Sequence, residues 1–336
     1  MSKYFITIDT GTTNTRAFLW DADNRCAASR KSPVGVRVTA IDGHNGRLKE
    51  AVKECLEGLL ADAGCTYGEV RAVVAAGMIT SNVGLVEIPH LTAPAGKREL
   101  AAGMRRVELP EICPLPIWFI PGVRNSGAAV TLENLEGMDI MRGEEVETIA
   151  IVERLHTGSP MVLALPGSHT KFVAVDATGA ITGCLTTITG ELLSSITNDT
   201  IIADAVGRQY VEEDTYDREL MLEGCRAAAK VGLSRACFSG RILNLFAIPD
   251  KAKIANFIFG AVLQSDVNAI LHSSAIQAGG DTVLVVAGKN PFRCALVDIF
   301  THEKAFGKVQ EYTPAPGEMS MSAQGAYHIA AERGIL

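Results

Sequence analysis

The feature that most constrains the fold is a polar turn between two apolar runs, because it occurs twice. Residues Tyr4-Phe5-Ile6-Thr7-Ile8-Asp9-Thr10-Gly11-Thr12-Thr13-Asn14-Thr15-Arg16-Ala17-Phe18-Leu19-Trp20 read as strand, tight loop, strand. An acid, a glycine, hydroxyls, an amide and an arginine crowd that loop. It offers many donors and little bulk, which a phosphate with its metal requires. An ordinary hairpin with a polar turn has the same pattern. The second instance runs from Met161 to Val175, with Pro166-Gly167-Ser168-His169-Thr170-Lys171 as its loop. At an offset of 155 residues Thr13 meets Ser168, Thr15 meets Thr170, Arg16 meets Lys171 and Asp21 meets Asp176.

The elements around the hairpins repeat as well. Three strands, a helix, a strand, a helix, a strand and a helix are expected twice, with extra helices in the second copy. In the first copy a third strand spans Arg25 to Lys31, a helix Gly46 to Ala63 and a buried strand Val70 to Ala76. In the second, helices are expected over Leu192–Val206, Tyr216–Val231, Arg235–Phe246 and Ala252–Gln277. A buried strand then spans Thr282 to Ala287, and the last helix runs from Ser322 to Glu332. Internal repetition fixes architecture. It predicts an α/β protein of two similar domains, 1–158 and 159–317, whose polar turns face each other across a cleft. The final helix, about 318–336, is expected to pack back on the first domain.

The 336 residues suffice for two cores, and a net charge of −7 argues against nucleic-acid or anionic-membrane partners. The first apolar run is short and is interrupted by Asp9, unlike a secretory signal, and no apolar stretch is read as long enough to span a bilayer. The eight cysteines form no CxxC pair and are read as buried, reduced thiols of a cytoplasmic protein. Neither a Walker pattern nor a GxGxxG after a strand is present, which disfavours P-loop and Rossmann readings.

Asp9-x-Gly11-Thr12-Thr13-Asn14-x-Arg16 resembles the first phosphate motif of the sugar kinase, Hsp70 and actin superfamily. Gly167-Ser168-His169-Thr170-Lys171 resembles its second, and Val285-Val286-Ala287-Gly288 its adenosine motif. Five blocks narrow the match: Ala76-Gly77-Met78-Ile79-x-Ser81-x-x-Gly84, Pro94-Ala95-Gly96, Ile140-Met141-Arg142-Gly143-Glu144-Glu145, Pro166 to Val173, and Thr189-Gly190-Glu191-Leu192. In that order they resemble the 2-dehydro-3-deoxygalactonokinase family. The resemblance implies two duplicated RNase H-like (actin-like ATPase) domains with a cleft between them. It also implies ATP- and Mg2+-dependent phosphorylation of the 6-hydroxyl of 2-dehydro-3-deoxy-D-galactonate. The family's Gly-Ser-Arg-Gln-Gly-Trp loop is here Thr80-Ser81-Asn82-Val83-Gly84-Leu85, and His90 stands where a tyrosine is usual. The missing arginine matters because the acceptor is a carboxylate. Arg142, Arg124 and Lys97 are candidates to replace it, or the substrate is a related keto-deoxy sugar acid.

Asp9, at a strand end beside Gly11, is the expected metal-organising carboxylate and a rival for the catalytic base. Sugar kinases of this superfamily place a base in a Gly-acid segment before the second phosphate loop. Gly143-Glu144 sits there, so Glu144 is preferred to Glu145, although acidic first turns also simply complement the helix dipole. Gly11, Thr12, Thr13, Asn14, Arg16, Gly167, Ser168, His169, Thr170, Lys171 and Gly288 are the expected ATP and phosphate contacts. Met78, Ser81, Asn82, Arg142 and Glu191 are expected on the substrate side, though Glu191 also suits ribose, metal or a helix start. Two other classes remain open: a phosphohydrolase of the same superfamily, and an ATP-driven switch of the Hsp70 or actin type. The expected partners are the sugar acid and ATP, with a second copy of the chain in a homodimer.

Overall fold

The computed structural model describes residues 3–156, 158–277, 279–314 and 318–336. The opening apolar run forms β1 (Tyr4–Thr10), and β2 (Thr15–Trp20) and β3 (Cys26–Ser32) follow it antiparallel. After α1 (Arg37–Asp42) comes α2 (Gly46–Ala63), which buries Leu48, Leu56, Leu59 and Leu60 at helical spacing. Gly64, at φ 62°, ends it in the left-handed conformation. β4 (Val70–Gly77), buried almost throughout, lies parallel to β1. Short elements follow: β5 (Leu91–Thr92), α3 (Lys97–Gly103), β6 (Arg105–Val107), β7 (Ile117–Phe119), β8 (Val123–Arg124) and β9 (Ile140–Met141), then α4 (Glu144–Leu155).

The second half opens with the antiparallel strands β10 (Met161–Leu165), β11 (Thr170–Val175) and β12 (Ile181–Thr187). Five helices follow: α5 (Thr189–Asp199), α6 (Ala203–Val206), α7 (Arg218–Val231), α8 (Leu233–Phe246) and α9 (Lys251–His272). Then come β13 (Val283–Val286), α10 (Phe292–Glu303), β14 (Lys308–Glu311) and α11 (Met321–Arg333). The two large sheets run β3-β2-β1-β4-β7-β6 and β12-β11-β10-β13-β14. In each, the first strand pairs with the second on one side and with a parallel strand on the other. A small sheet, β5-β8-β9, lies beside them.

α4 and α11 join the halves. Val146 and Ile149 of α4 and Ile329 and Ala330 of α11 share one buried cluster with Val74 and Ala76 of the first large sheet and Leu163 and Val173 of the second. The two helices nearly touch: a Cβ on Gly325 would lie 1.8 Å from the carbonyl oxygen of Val146. α11 returns to the first half, against α3, α4 and β1. The boundary expected at 317 falls outside the described residues.

Some expectations are corrected. The helix expected over 192–206 is two, because the Thr200 hydroxyl donates to the Ile196 carbonyl and accepts the Ile202 N–H in place of the helical ladder. The long helix ends at His272 and not at Gln277, where Ser273 turns extended and its hydroxyl accepts from Ala275 and Ile276 N–H. That helix, α9, is also long and apolar enough to cross a membrane, against the reading that no stretch was. Its apolar window is 78% buried within the fold, so it is a core helix. All eight cysteines are free thiols, but Cys26 is exposed and Cys65 and Cys294 are half-buried.

Candidate active site

The β1–β2 turn is closed by the Gly11 N–H donating to the Asn14 carbonyl at 2.9 Å. Beneath it the hydroxyls of Thr10 and Thr15 meet at 3.2 Å. The carbonyls of Gly11 and Thr12 are taken by the N–H groups of Val36 and Arg37. The Thr12 and Thr13 side chains stay exposed, while Asn14 donates to the Thr13 hydroxyl at 2.8 Å. Asp9, next to last in β1, lies opposite Arg16 in register, with 3.8 Å between their charged groups. Ser322, in the first turn of α11, donates to the Asp9 carboxylate at 3.4 Å. Burial pushes the Asp9 carboxyl up, and Arg16 and Ser322 oppose that shift.

The β10–β11 turn rests on the start of α5. Gly190 fits beneath it, and the Glu191 N–H donates to the Ser168 carbonyl at 3.1 Å. His169 and Glu191 pair at 3.1 Å, both exposed. Gly288, at φ 93° beyond β13, abuts Pro166: a Cβ there would come within 2.9 Å of the ring. Behind the turn, Thr189 donates to Asp266 of α9, which is fully buried and has no counter-ion among the described residues. Burial pushes the Asp266 carboxyl up to about 6 against the pull of hydroxyls from Thr187, Thr189 and Thr170.

Lys171 does not reach into open space. Its ammonium donates to the Ile140 carbonyl at 2.7 Å and to the Thr186 hydroxyl, and lies 3.7 Å from Asp139. Only 6% of its side chain is exposed.

The start of α4 separates its carboxylates. Gly143, at φ 113°, donates its N–H to both oxygens of Glu145, at 2.9 and 2.8 Å. Glu145 is wholly buried, and burial followed by the charge of Glu144 pushes its carboxyl well up. Glu144 faces the other way and accepts the Arg142 N–H at 3.2 Å. Glu147, one turn on, shares that face. Burial, then the charges of Asp9 and Glu144, push the Glu147 carboxyl up to about 8.

These elements enclose a cavity of about 690 Å³. From the first half it is lined by Gly11, Thr12, Met78, Ser81, Asn82 and His90. Arg142, Glu144 and Glu147 line its base, and Gly167, Ser168, His169 and Lys171 its far wall. The expected residues from both loops and from the β4 loop therefore meet in one cleft. Asp9, Thr13, Asn14, Arg16, Glu145, Thr170, Glu191 and Gly288 are not part of the lining. Lys97, salt-bridged to Glu153, and Arg124, donating to Thr92, also lie off it.

Glu147, His90, Ser322 and Asp266 were not among the residues expected at the site. Glu147 was legible as the residue three positions after Glu144 on a helix. Ser322 and Asp266 had no local signal, since each backs the site, behind Asp9 and behind the second turn, from a helix distant in sequence.

A model of the 2-keto-3-deoxy-galactonokinase family matches residues 9–299. The 2-dehydro-3-deoxygalactonokinase of Escherichia coli (strain K12) is 27% identical over 304 residues, covering 89% of this chain and 92% of that protein. Among solved structures, a Sinorhizobium meliloti protein provisionally assigned as a 2-dehydro-3-deoxygalactonokinase superposes with a TM-score of 0.75. It is 20% identical, with 97% of this chain and 98% of that one covered.

Proposed function

The chain belongs to the 2-keto-3-deoxy-galactonokinase family, and from that premise we propose that it is an ATP-dependent kinase for the 6-hydroxyl of 2-dehydro-3-deoxy-D-galactonate. The product is 2-dehydro-3-deoxy-6-phosphogalactonate, in galactonate breakdown. The observation that carries the reading is the single cleft where both polar turns face the Glu144 carboxylate. We read the two sheets, alike in strand order, as duplicated RNase H-like units of the actin-like ATPase class, with the turns as paired phosphate grips.

In this reading Gly11 and Thr12 of one loop and Gly167 and Ser168 of the other hold the nucleotide phosphates, and Gly288 lies on the adenosine side. Glu144 accepts the proton of the 6-hydroxyl as the terminal phosphoryl group moves to that oxygen and ADP leaves. We leave Glu145 out of this part, because it is buried and both its oxygens accept the Gly143 N–H. Among the described residues no group of three or more His, Cys, Asp or Glu side chains is poised to hold a metal by itself. Mg2+ typically takes one or two carboxylates and completes its shell with phosphates and water. We assign that role to Asp9, a carboxylate beside the first polar turn, facing Arg16 and Ser322. When bound, Mg2+ would neutralise charge on the phosphates. Met78, Ser81, Asn82 and Arg142 form the acceptor side.

A coupled ADP-release assay over keto-deoxy sugar acids and plain hexoses, with free phosphate followed in parallel, tests this reading. ADP release that requires 2-dehydro-3-deoxy-D-galactonate is the expected result. Phosphate release without any acceptor would make the protein a phosphohydrolase instead.

A further inference from the structure

The cleft holds a positive charge that no carboxylate touches directly, with Glu145 and Glu87 near enough to act on it only at longer range. Arg142, between β9 and the start of α4, is half-buried and lines the cavity. Its guanidinium donates to the Thr80 hydroxyl and to the Ile88 carbonyl, each at 2.7 Å, and faces Nδ1 of His90 at 3.4 Å. None of these three partners is a carboxylate. Among the described residues no carboxylate oxygen lies within 4 Å of the Arg142 guanidinium, whereas the charged groups of Arg16, Lys97 and Lys171 each have one. An arginine has five N–H donors. Three are directed at the protein, both of Nη2 and one of Nη1, which leaves Nε–H and one Nη1–H, on different edges of the group, to donate singly to an anion.

His90 has the properties of a fixed acceptor for this arginine. Burial, with Arg142 and then Arg124 nearby, pushes its imidazole down to about 4, so at neutral pH it adds no positive charge. Nδ1 is then the acceptor that faces Arg142. Gly122 makes room for both side chains: a Cβ there would lie 2.8 Å from Cγ of Arg142 and 2.8 Å from Cδ2 of His90. Only uncharged groups hold the guanidinium, so its orientation is fixed while its charge remains available. The rest of the cavity carries Glu87, Glu144 and Glu147. An anionic acceptor therefore has one favourable place for its charged end.

We propose that Arg142 anchors the carboxylate of the acceptor and that His90 is the positioning residue that orients its guanidinium. This inference rests on the kinase reading above and adds the acceptor's charged group to it. It also accounts for the missing arginine of the β4 loop: the guanidinium comes from the residue after β9, two residues from Glu144.

The test compares the sugar acid with its carboxamide in steady-state assays of the full chain. Wild type should prefer the acid strongly. Arg142→Gln should raise KM for the acid by about 100-fold or more and abolish the preference, with KM for ATP within about 2-fold. Arg142→Lys, which keeps the charge without the planar guanidinium and its fixed contacts, should fall between them. His90→Phe should raise the acid KM about 10-fold, and His90→Gln, which can still accept a hydrogen bond, should restore it. An unchanged ATP KM shows that a variant is folded. If wild type prefers the carboxamide or a neutral hexose, the sugar-acid reading fails and the anchor fails with it. If wild type prefers the acid and Arg142→Gln keeps that preference, the anchor alone is overturned. If His90→Phe and His90→Gln are equally impaired, the positioning role is overturned.

Discussion

Gly190 lies so close beneath the second loop that a Cβ on it would come within 2.3 Å of the Gly167 carbonyl oxygen. The obstructing atom is backbone, so it cannot swing aside as a flexible side chain would. Gly190→Ala must therefore displace the loop, and overpacking of this kind costs about 1–3 kcal/mol. The expected outcome is a KM for ATP raised about 10-fold or more, with the acid KM little changed. Steady-state kinetics with each substrate varied in turn checks it.

The two neighbouring acids of α4 should respond differently. Glu144→Gln should lower kcat by about 10²–10⁴-fold while ATP binding stays within about 2-fold. Glu145→Gln should keep most of the turnover, because Glu145 faces away from the cavity and its carboxyl is already pushed toward the neutral form that glutamine mimics. Kinetics paired with nucleotide titration separates the two effects. The reverse pattern would move the base to Glu145.

Asp9→Asn should lose most of the turnover while the protein remains folded. The carboxylate is the one placed next to last in β1, within reach of Arg16 and Ser322. A Mg2+ titration of activity with circular dichroism as the folding control is the measurement. Near-normal turnover would remove Asp9 from the site.

Asp266 makes stability depend on pH. Its pKa is raised from 3.8 to about 6 on folding, so the fold favours its protonated form. For an acid shifted upward, the stabilisation is complete below about pH 4 and is lost as pH rises through about 6. The swing is about 3 kcal/mol. Asp266→Asn cannot ionise, so its melting temperature should exceed that of wild type at pH 8 by on the order of 5 °C. At pH 4 the difference should vanish. Thermal melts across that range check the sign.

Much of this architecture was legible because the signals are local. Gly46 to Ala63 was read with the bounds the structure gives, since its leucine spacing and the glycine after it act within the segment. Both hairpins were read from their alternating and apolar runs. The break at Thr200 was missed, because a hydroxyl that takes over a backbone bond leaves no trace in hydrophobic periodicity. At the site, residues in the loops and at the start of α4 were readable, being next to glycines in short motifs. Lys171 was read as a phosphate contact from its place after the loop, but its neighbours Ile140 and Asp139 come from about thirty residues earlier. Asp266 and Ser322 back the site only through tertiary packing, which no window along the chain reports.

The burial of Lys171 bears on how the second loop meets an anion. With its ammonium directed to Ile140, Thr186 and Asp139, the loop offers N–H groups and hydroxyls but no unspent cation of its own. Dipoles at contact distance are screened by dissolved ions far less than separated full charges are. Nucleotide capture on this side of the cleft should thus depend little on ionic strength, and the phosphates must arrive with most of their charge already balanced by the cation they carry.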